Sequence, residues 1–315
     1  MRVLISGGTG MIGASLSNSL LADGHQVLIL TRQTSAPQLP PSVQWMHWDG
    51  RTTAGWGSVI EEVDAVVNLV GERLAKWPWT KRLKQRLWNS RVDGGRALTE
   101  AIQKSPKRPA VLIQASGINY YGSHGQEIIT ETDPSGDDFL AQLSRAWEDS
   151  TKAVEALGVR RAVIRSAIVL DGRKGILPIM ALPARLFVGG PLGSGRQGLP
   201  WIHLEDEVAA IRFLLEKELA RGPFNLTTPE PISSAVFLRQ IAAALRRPFW
   251  LPVPAPVLRI TLGEMSALVL AGAYVLPRRL VDLGFQFKYG KVNEALQEIF
   301  QGKRNPKPGD HGFLI

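Results

Sequence analysis

The chain has no cysteine among its 315 residues. Disulfides, thiolate metal centres and thiol catalysis are thereby excluded. Its five histidines (His25, His47, His124, His203 and His311) are scattered without paired-ligand spacing, so no metal site is expected. Long apolar runs are missing as well. The uncharged apolar stretch 265–277 is too short for a membrane span and lies between Glu264 and Arg278. No signal peptide is expected ahead of an apolar run that begins at residue 2, which points to a cytoplasmic protein. The Asn225-Leu226-Thr227 sequon carries no meaning there.

Acidic residues are scarce in one stretch. Residues 73–108 hold eleven Lys or Arg against two acids, Asp93 and Glu100, and this accounts for the whole net charge of +9. Trp77, Trp79 and Trp88 are interleaved with these charges, a composition that can suit nucleic acid or an anionic membrane. The reading preferred here is a solvated helix face with its tryptophans turned inward, serving the fold, the rim of a pocket or a protein partner. No nucleic-acid partner is expected.

The informative stretch is the first. An apolar run at 2–6 has the character of a strand buried on both faces, and Gly7, Gly10 and Gly13 follow it as G-x-x-G-x-x-G. Helical apolar spacing at 11–22 and a second apolar run at 26–30 complete a β-α-β unit of about 30 residues. In that setting Gly7 permits the tight turn, Gly10 lets backbone approach a pyrophosphate, and Gly13 lets helix pack on strand. Free amides at the helix start would face the phosphates. This is a dinucleotide site. The second strand ends in Thr31-Arg32 with no acid nearby, which suits a ribose 2′-phosphate and favours NADP(H) over NAD(H).

Further strands are expected at 43–48, 63–70, 111–115 and 162–170, with helices at 80–103 and 137–157. Beyond Asp171 glycine and proline punctuate a loop-rich region that would suit substrate binding. A helix at 204–219, a short strand at 224–226 and a helix at 232–245 follow. The expected architecture is a doubly wound α/β fold of about seven strands. Residues 1–170 would form the Rossmann domain, with 204–231 returning to it. Residues 171–203 and 232–300 would form a smaller substrate lobe, and 301–315 a loose tail.

The opening GGTGMIG, the NLVGE after the fourth strand and the late PWIHLEDEVAAI resemble an extended or atypical short-chain dehydrogenase/reductase. More narrowly, YYG, FLAQLSRAWE, IRSAIVL, GGPLGSGRQGLPWIH and the block from Pro252 to Tyr289 resemble the epimerase-like family of YfcH-type proteins. That family includes an atypical human reductase-like member, and its cyanobacterial and plastid members are linked with division. The resemblance implies that Gly7, Gly10, Met11, Ile12 and Arg32 hold the cofactor's phosphates, with Asp49 by the adenine. Val70 and Gly71 would line the trough. Ser116 stands where relatives place a catalytic serine, and Tyr121 matches the tyrosine of their V-Y-G turn. Ser116, Tyr121 and the loop 201–203 with His203 would border the nicotinamide.

One feature of the superfamily is missing. Its chemistry needs Tyr-x-x-x-Lys, whose lysine lowers the tyrosine pKa for proton transfer. Tyr120, Tyr121, Tyr274 and Tyr289 are followed four residues on by His124, Gly125, Arg278 and Asn293. Leu140 and Ser144 stand at the corresponding helical positions. Two readings result. In one, an NADP(H)-dependent oxidoreductase or epimerase moves its proton through Ser116, Tyr121, Glu148 or His203. In the other, the fold keeps its nucleotide and serves as a regulatory protein with a partner in the division machinery. The substrate is open, as is the choice between monomer and homodimer.

Overall fold

The structure, a computed structural model, describes residues 1–34 and 39–301. The expected loose tail, apart from Gln301, lies outside the described residues. Seven strands form one sheet: β1 (Arg2–Ser6), β2 (Gln26–Thr31), β3 (Gln44–His47), β4 (Ala65–Asn68), β5 (Val111–Gly117), β6 (Arg160–Ser166) and β7 (Gly222–Leu226). Their order is β7-β6-β5-β4-β1-β2-β3, and every pairing is parallel. The order reverses at β1, with Val3 opposite both Val27 on β2 and Ala65 on β4. A crevice therefore opens beyond Ser6 and Asn68, where a doubly wound sheet receives its ligand.

The helices are α1 (Met11–Ala22), α2 (Lys81–Lys104), α3 (Phe139–Asp149), α4 (Leu177–Arg185), α5 (Leu204–Glu216), α6 (Ser234–Ala244), α7 (Ala255–Leu262) and α8 (Val292–Gln301), with shorter turns between them. Strand alternation divides the apolar residues between the two faces of the sheet. Val3, Ile5, Ile29 and Ile113 meet Leu16 and Leu20 of α1 and Ile211 and Leu214 of α5. Leu4, Leu28, Val66 and Leu112 meet Leu98 and Ile102 of α2. A third cluster joins Leu170 and Leu177 to Trp201, Phe237, Ile241 and Leu296, away from the main sheet.

Two expected elements are shorter than the sequence suggested. The run 162–170 is not one strand. After Ser166 the chain leaves the sheet, and Ile168–Leu170 pairs with Trp201–His203 inside the region read as loop. The helix expected to reach residue 157 ends at Asp149, and Lys152–Leu157 forms a separate 3₁₀ turn.

The basic helix α2 starts at Thr80, whose Oγ1 accepts the Leu83 amide at 3.2 Å. Its apolar side packs Leu83 and Leu87 against Leu143, with Trp79 and Trp88 partly buried beside them. Trp77 is 66% exposed, so only two of the three tryptophans turn inward. Gly94 and Gly95 interrupt an otherwise good helix former for a steric reason. A Cβ on Gly95 would lie 1.9 Å from Ser150 Oγ, and one on Gly94 would lie 2.7 Å from Val70 Cγ1.

Helix α5 carries a buried acid against the sheet. Glu207 is fully buried; its Oε1 accepts from Ser166 Oγ at 2.6 Å, and its Oε2 has no partner among the described residues. Burial pushes its pKa up to about 8, against the smaller opposing effect of the Ser166 bond. The folded state thus keeps a proton that the unfolded chain releases near its reference value of 4.5. Stability from this group is full below about pH 4.5 and is lost as pH rises toward about 8. Urea unfolding of wild type and Glu207→Gln between pH 5 and pH 8 checks this. The variant should gain ~2–3 kcal/mol relative to wild type across that interval. A gap that does not change with pH would contradict the assignment.

Candidate functional site

The crevice begins with the turn between β1 and α1. Gly7 has φ +76°, in the region that favours glycine, and a Cβ on it would lie 2.6 Å from Leu69 O. A Cβ on Gly13 would lie 2.5 Å from Gly7 O, so the first turn of α1 rests directly on the loop. Gly10 donates to Gly7 O at 3.0 Å and occupies the helix N-cap with no side-chain acceptor. The first turn, which starts with Met11 and Ile12, contains no acid. Backbone amides at this end are left to an anion.

Arg32 follows β2 at the far side of the crevice and is exposed. No acid pairs with it among the described residues. Its side chain runs beside Gly50, in the loop that leaves β3. Asp49 in that loop is occupied with its own turn. Its Oδ1 accepts the amides of Arg51 and Thr52 at 2.8 Å each, and its Oδ2 accepts Thr52 Oγ1 at 2.8 Å. A contact from this carboxylate to a ligand would compete with those bonds. Val70 and Gly71 leave β4 over α2, and a Cβ on Gly71 would lie 3.1 Å from Arg91 Cζ. Arg91 is buried there, donating to Leu87 O at 3.1 Å and Glu72 O at 3.0 Å, and it clamps this edge of the trough to α2. Burial lowers its pKa to about 10, with Glu72 opposing. Nothing in the local pattern singles Arg91 out among the charges of α2.

A row of polar side chains crosses the carboxyl ends of the strands on the α2–α3 side. Ser6 Oγ donates to Asn68 Oδ1 at 2.6 Å, and Asn68 Nδ2 donates to Gln114 Oε1 at 2.8 Å. Ser116, two residues on along β5, donates its hydroxyl to Glu148 Oε1 at 2.7 Å. Glu148 is held from the other side by Arg165 of β6, with Nε on Oε1 at 2.9 Å and Nη2 on Oε2 at 3.0 Å. The third guanidinium nitrogen donates to Tyr121 Oη at 2.9 Å, and that hydroxyl donates to Asn225 Oδ1 at 2.6 Å. Asn225 Nδ2 ends the chain on Leu276 O at 3.0 Å. Arg165 also stacks on Tyr120, its Cζ 3.5 Å from the ring centre. Burial disfavours its charge, but the Glu148 carboxylate outweighs burial and raises its pKa.

This arrangement sorts the candidates. Ser116 and Glu148 are brought together. Glu148 does not pair with Lys152, because α3 ends before that residue and helical spacing is lost. Tyr121 is only 1% exposed, and burial pushes its pKa up to about 12, partly offset by Arg165. That is the wrong direction for a phenolate mechanism. His203 belongs elsewhere. Its Nδ1 accepts the Glu205 amide at 3.2 Å at the start of α5, its Nε2 meets Glu298 Oε2 at 3.2 Å, and its ring lies 4.0 Å from that of Tyr289. Burial lowers its pKa, with Glu298 opposing. Leu140 and Ser144, at the positions of the missing pair, are both buried. Among the described residues no group of His, Asp and Glu could hold a metal ion, and no helix is long and apolar enough to cross a membrane.

Residues 3–143 match the NAD dependent epimerase/dehydratase family, and residues 253–299 match a domain of unknown function, DUF1731. The epimerase family protein YfhF of Bacillus subtilis (strain 168) is 35% identical over 305 residues, covering 96% of this chain and 99% of its own. A chloroplastic SDR39U1 homologue of Arabidopsis thaliana is 37% identical over 304 residues, covering 96% of this chain and 87% of its own. The crystal structure of human epimerase family protein SDR39U1 with NADPH superposes with a TM-score of 0.86 at 34% identity, covering 95% of this chain and 99% of the human one. A nucleoside-diphosphate sugar epimerase from Corynebacterium glutamicum superposes at 0.77 with 30% identity, over 95% of this chain and 58% of its own. On these matches, the chain belongs to the NAD dependent epimerase/dehydratase family, among the epimerase family proteins that include SDR39U1 and YfhF.

Proposed function

We propose that the chain is an NADP(H)-binding, epimerase-like oxidoreductase in which Ser116 and Glu148 hold and move the proton. The observation that carries this is the 2.7 Å bond from Ser116 Oγ to Glu148 at the carboxyl end of β5. The glycine turn suits a dinucleotide: a Cβ at Gly7 would strike Leu69 O and one at Gly13 would strike Gly7 O, so glycine lets the turn close and leaves the first amides of α1 to an anion. Gly7, Gly10, Met11, Ile12 and Gly13 would hold the pyrophosphate, and Arg32 the 2′-phosphate. Asp49, Val70 and Gly71 would flank the adenosine half. The NADPH in the human relative supports the choice of cofactor. When bound, the nicotinamide supplies or accepts a hydride.

The chain's own residues would do the rest. Ser116 donates a hydrogen bond to Glu148, so its lone pairs are left to accept one from a substrate hydroxyl. As that proton arrives on Oγ, the serine's own proton passes to Glu148 Oε1; the reverse order serves a carbonyl. Arg165 and Tyr121 are positioning residues that fix the carboxylate. The lobe of 171–203 and 232–300 would close over the substrate, for which a nucleotide sugar is the class suggested by the Corynebacterium relative. A second reading keeps the nucleotide and dispenses with turnover, as a regulator such as a division factor would. It is favoured by the sealed Tyr121 and by buried Leu140 and Ser144.

Calorimetry with NADPH and NADH should show NADPH bound more tightly by wild type. Arg32→Ala should weaken NADPH at least about tenfold and leave NADH nearly unchanged, as loss of a charge-assisted contact implies. Equal weakening of both would remove the 2′-phosphate assignment.

For the chemistry, cofactor oxidation is followed over a panel of sugar nucleotides, aldehydes and quinones. Turnover is expected to be slow, with Ser116→Ala and Glu148→Gln each lowering kcat by about 10²–10⁴. Tyr121→Phe should cost less, because it touches the relay only through Arg165. Turnover indifferent to Ser116 and Glu148 would misplace the site. Tight NADPH binding with no turnover on any compound would select the regulatory reading.

A further inference from the structure

Helix α4 is apolar all round, yet only one side of it is covered. Leu177, Ala181 and Ala184 are buried, while Ile179, Leu182 and Leu186 form an outward stripe. Phe187 extends the stripe, and Trp250 stands beside it with Nε1 donating to Phe187 O at 2.9 Å. These five side chains are each at least half exposed. Lone exposed apolar residues need no explanation, but a contiguous patch does.

The two segments that carry the patch hold charge of one sign. Segments 172–204 and 231–263, which build this part of the lobe, contain eight Lys or Arg and no acid. Arg185, Arg246 and Arg247 are exposed next to the apolar stripe, and Arg247 lies 4.3 Å over the Phe187 ring.

The backbone adds a separate observation. Helices α4 and α6 both end with the paired bonds of a Schellman turn: Val188 N to Pro183 O at 2.9 Å, and Arg247 N to Ala242 O at 2.8 Å. The left-handed position of such a turn favours glycine. Here it holds Phe187 at φ +65° and Arg246 at φ +56°. Both turns keep, at a cost in strain, an exposed side chain in place of glycine: Phe187 within the patch, and Arg246 beside Arg247 in the chain.

We propose that this face docks on an anionic lipid surface. Exposed aromatic and aliphatic groups bordered by arginines, with no acid to repel a negative headgroup, suit the boundary between headgroups and acyl chains. A second copy fits less well. A two-fold contact would set Arg185, Arg246 and Arg247 against their own equivalents.

The test uses the full chain with phosphatidylcholine vesicles, with and without about 30% phosphatidylserine, in cosedimentation at low salt and at about 0.5 M salt. Binding is expected only with phosphatidylserine and is expected to fall at high salt. Brominated lipid should quench part of the tryptophan emission in wild type and less of it in Trp250→Phe. The double variant Leu182→Gln, Leu186→Gln should lose binding about tenfold or more at an unchanged melting temperature. Arg246→Gly should melt higher, because the strain is relieved, yet bind about fivefold more weakly. Absence of vesicle binding, or equal binding to neutral and anionic vesicles, would overturn the proposal. So would a concentration-dependent dimer that the double variant dissolves in the absence of lipid binding, which would assign the face to a second copy.

Discussion

Arg165 is a charge placed inside a parallel sheet, and the candidate site is arranged around satisfying it. A guanidinium only 4% exposed is tolerated when each of its nitrogens has an acceptor and its charge is balanced. Glu148 supplies the balance with two bonds, and Tyr121 takes the remaining nitrogen. Those demands fix three elements at once: α3 must present Glu148, the turn Ile118–Tyr121 must bring in the phenol, and β7 must offer Asn225 to accept from it. Ser116 joins the same network through Glu148 Oε1. The residues that would do chemistry are held in place by the residues that neutralise a buried charge.

This also explains how the family pattern could change without the site collapsing. Where a short-chain dehydrogenase would carry tyrosine and lysine on one helix, α3 carries Leu140 and Ser144 facing inward, and Glu148 one turn further along. The cation of the site comes from a strand instead of that helix. The tyrosine comes from a loop, is buried, and has its pKa pushed up to about 12 by burial. In the proposed mechanism a carboxylate and a serine with a fixed counter-ion take the place of that pair.

The parts legible in the sequence were those enforced locally. Gly7 and Gly13 announce their turn because a Cβ on them would lie 2.6 Å from Leu69 O and 2.5 Å from Gly7 O. The alternation of apolar runs with helical spacing gave the order of the doubly wound sheet up to residue 166. What stayed hidden depended on distant partners. Asn225 read as an idle sequon residue, although its side chain ends the Arg165 chain 104 residues from Tyr121. Glu148 stood among four candidates for moving the proton, yet nothing local tied it to Ser116 or to Arg165. Arg91, Arg165 and Glu207 are ordinary charged residues in a one-dimensional pattern, and only burial gives them roles. The break after Ser166 was invisible for a similar reason, since residues 168–170 are as apolar as those before them.

An experimental structure of the chain with NADP⁺ tests the central claim most directly, because it shows which side chain faces the reacting carbon. The account predicts the 2′-phosphate on Arg32, the nicotinamide beside Ser116, and the Glu148–Arg165–Tyr121 bonds intact. A nicotinamide distant from Ser116, or Tyr121 released from Arg165 and turned toward the ring, would contradict it.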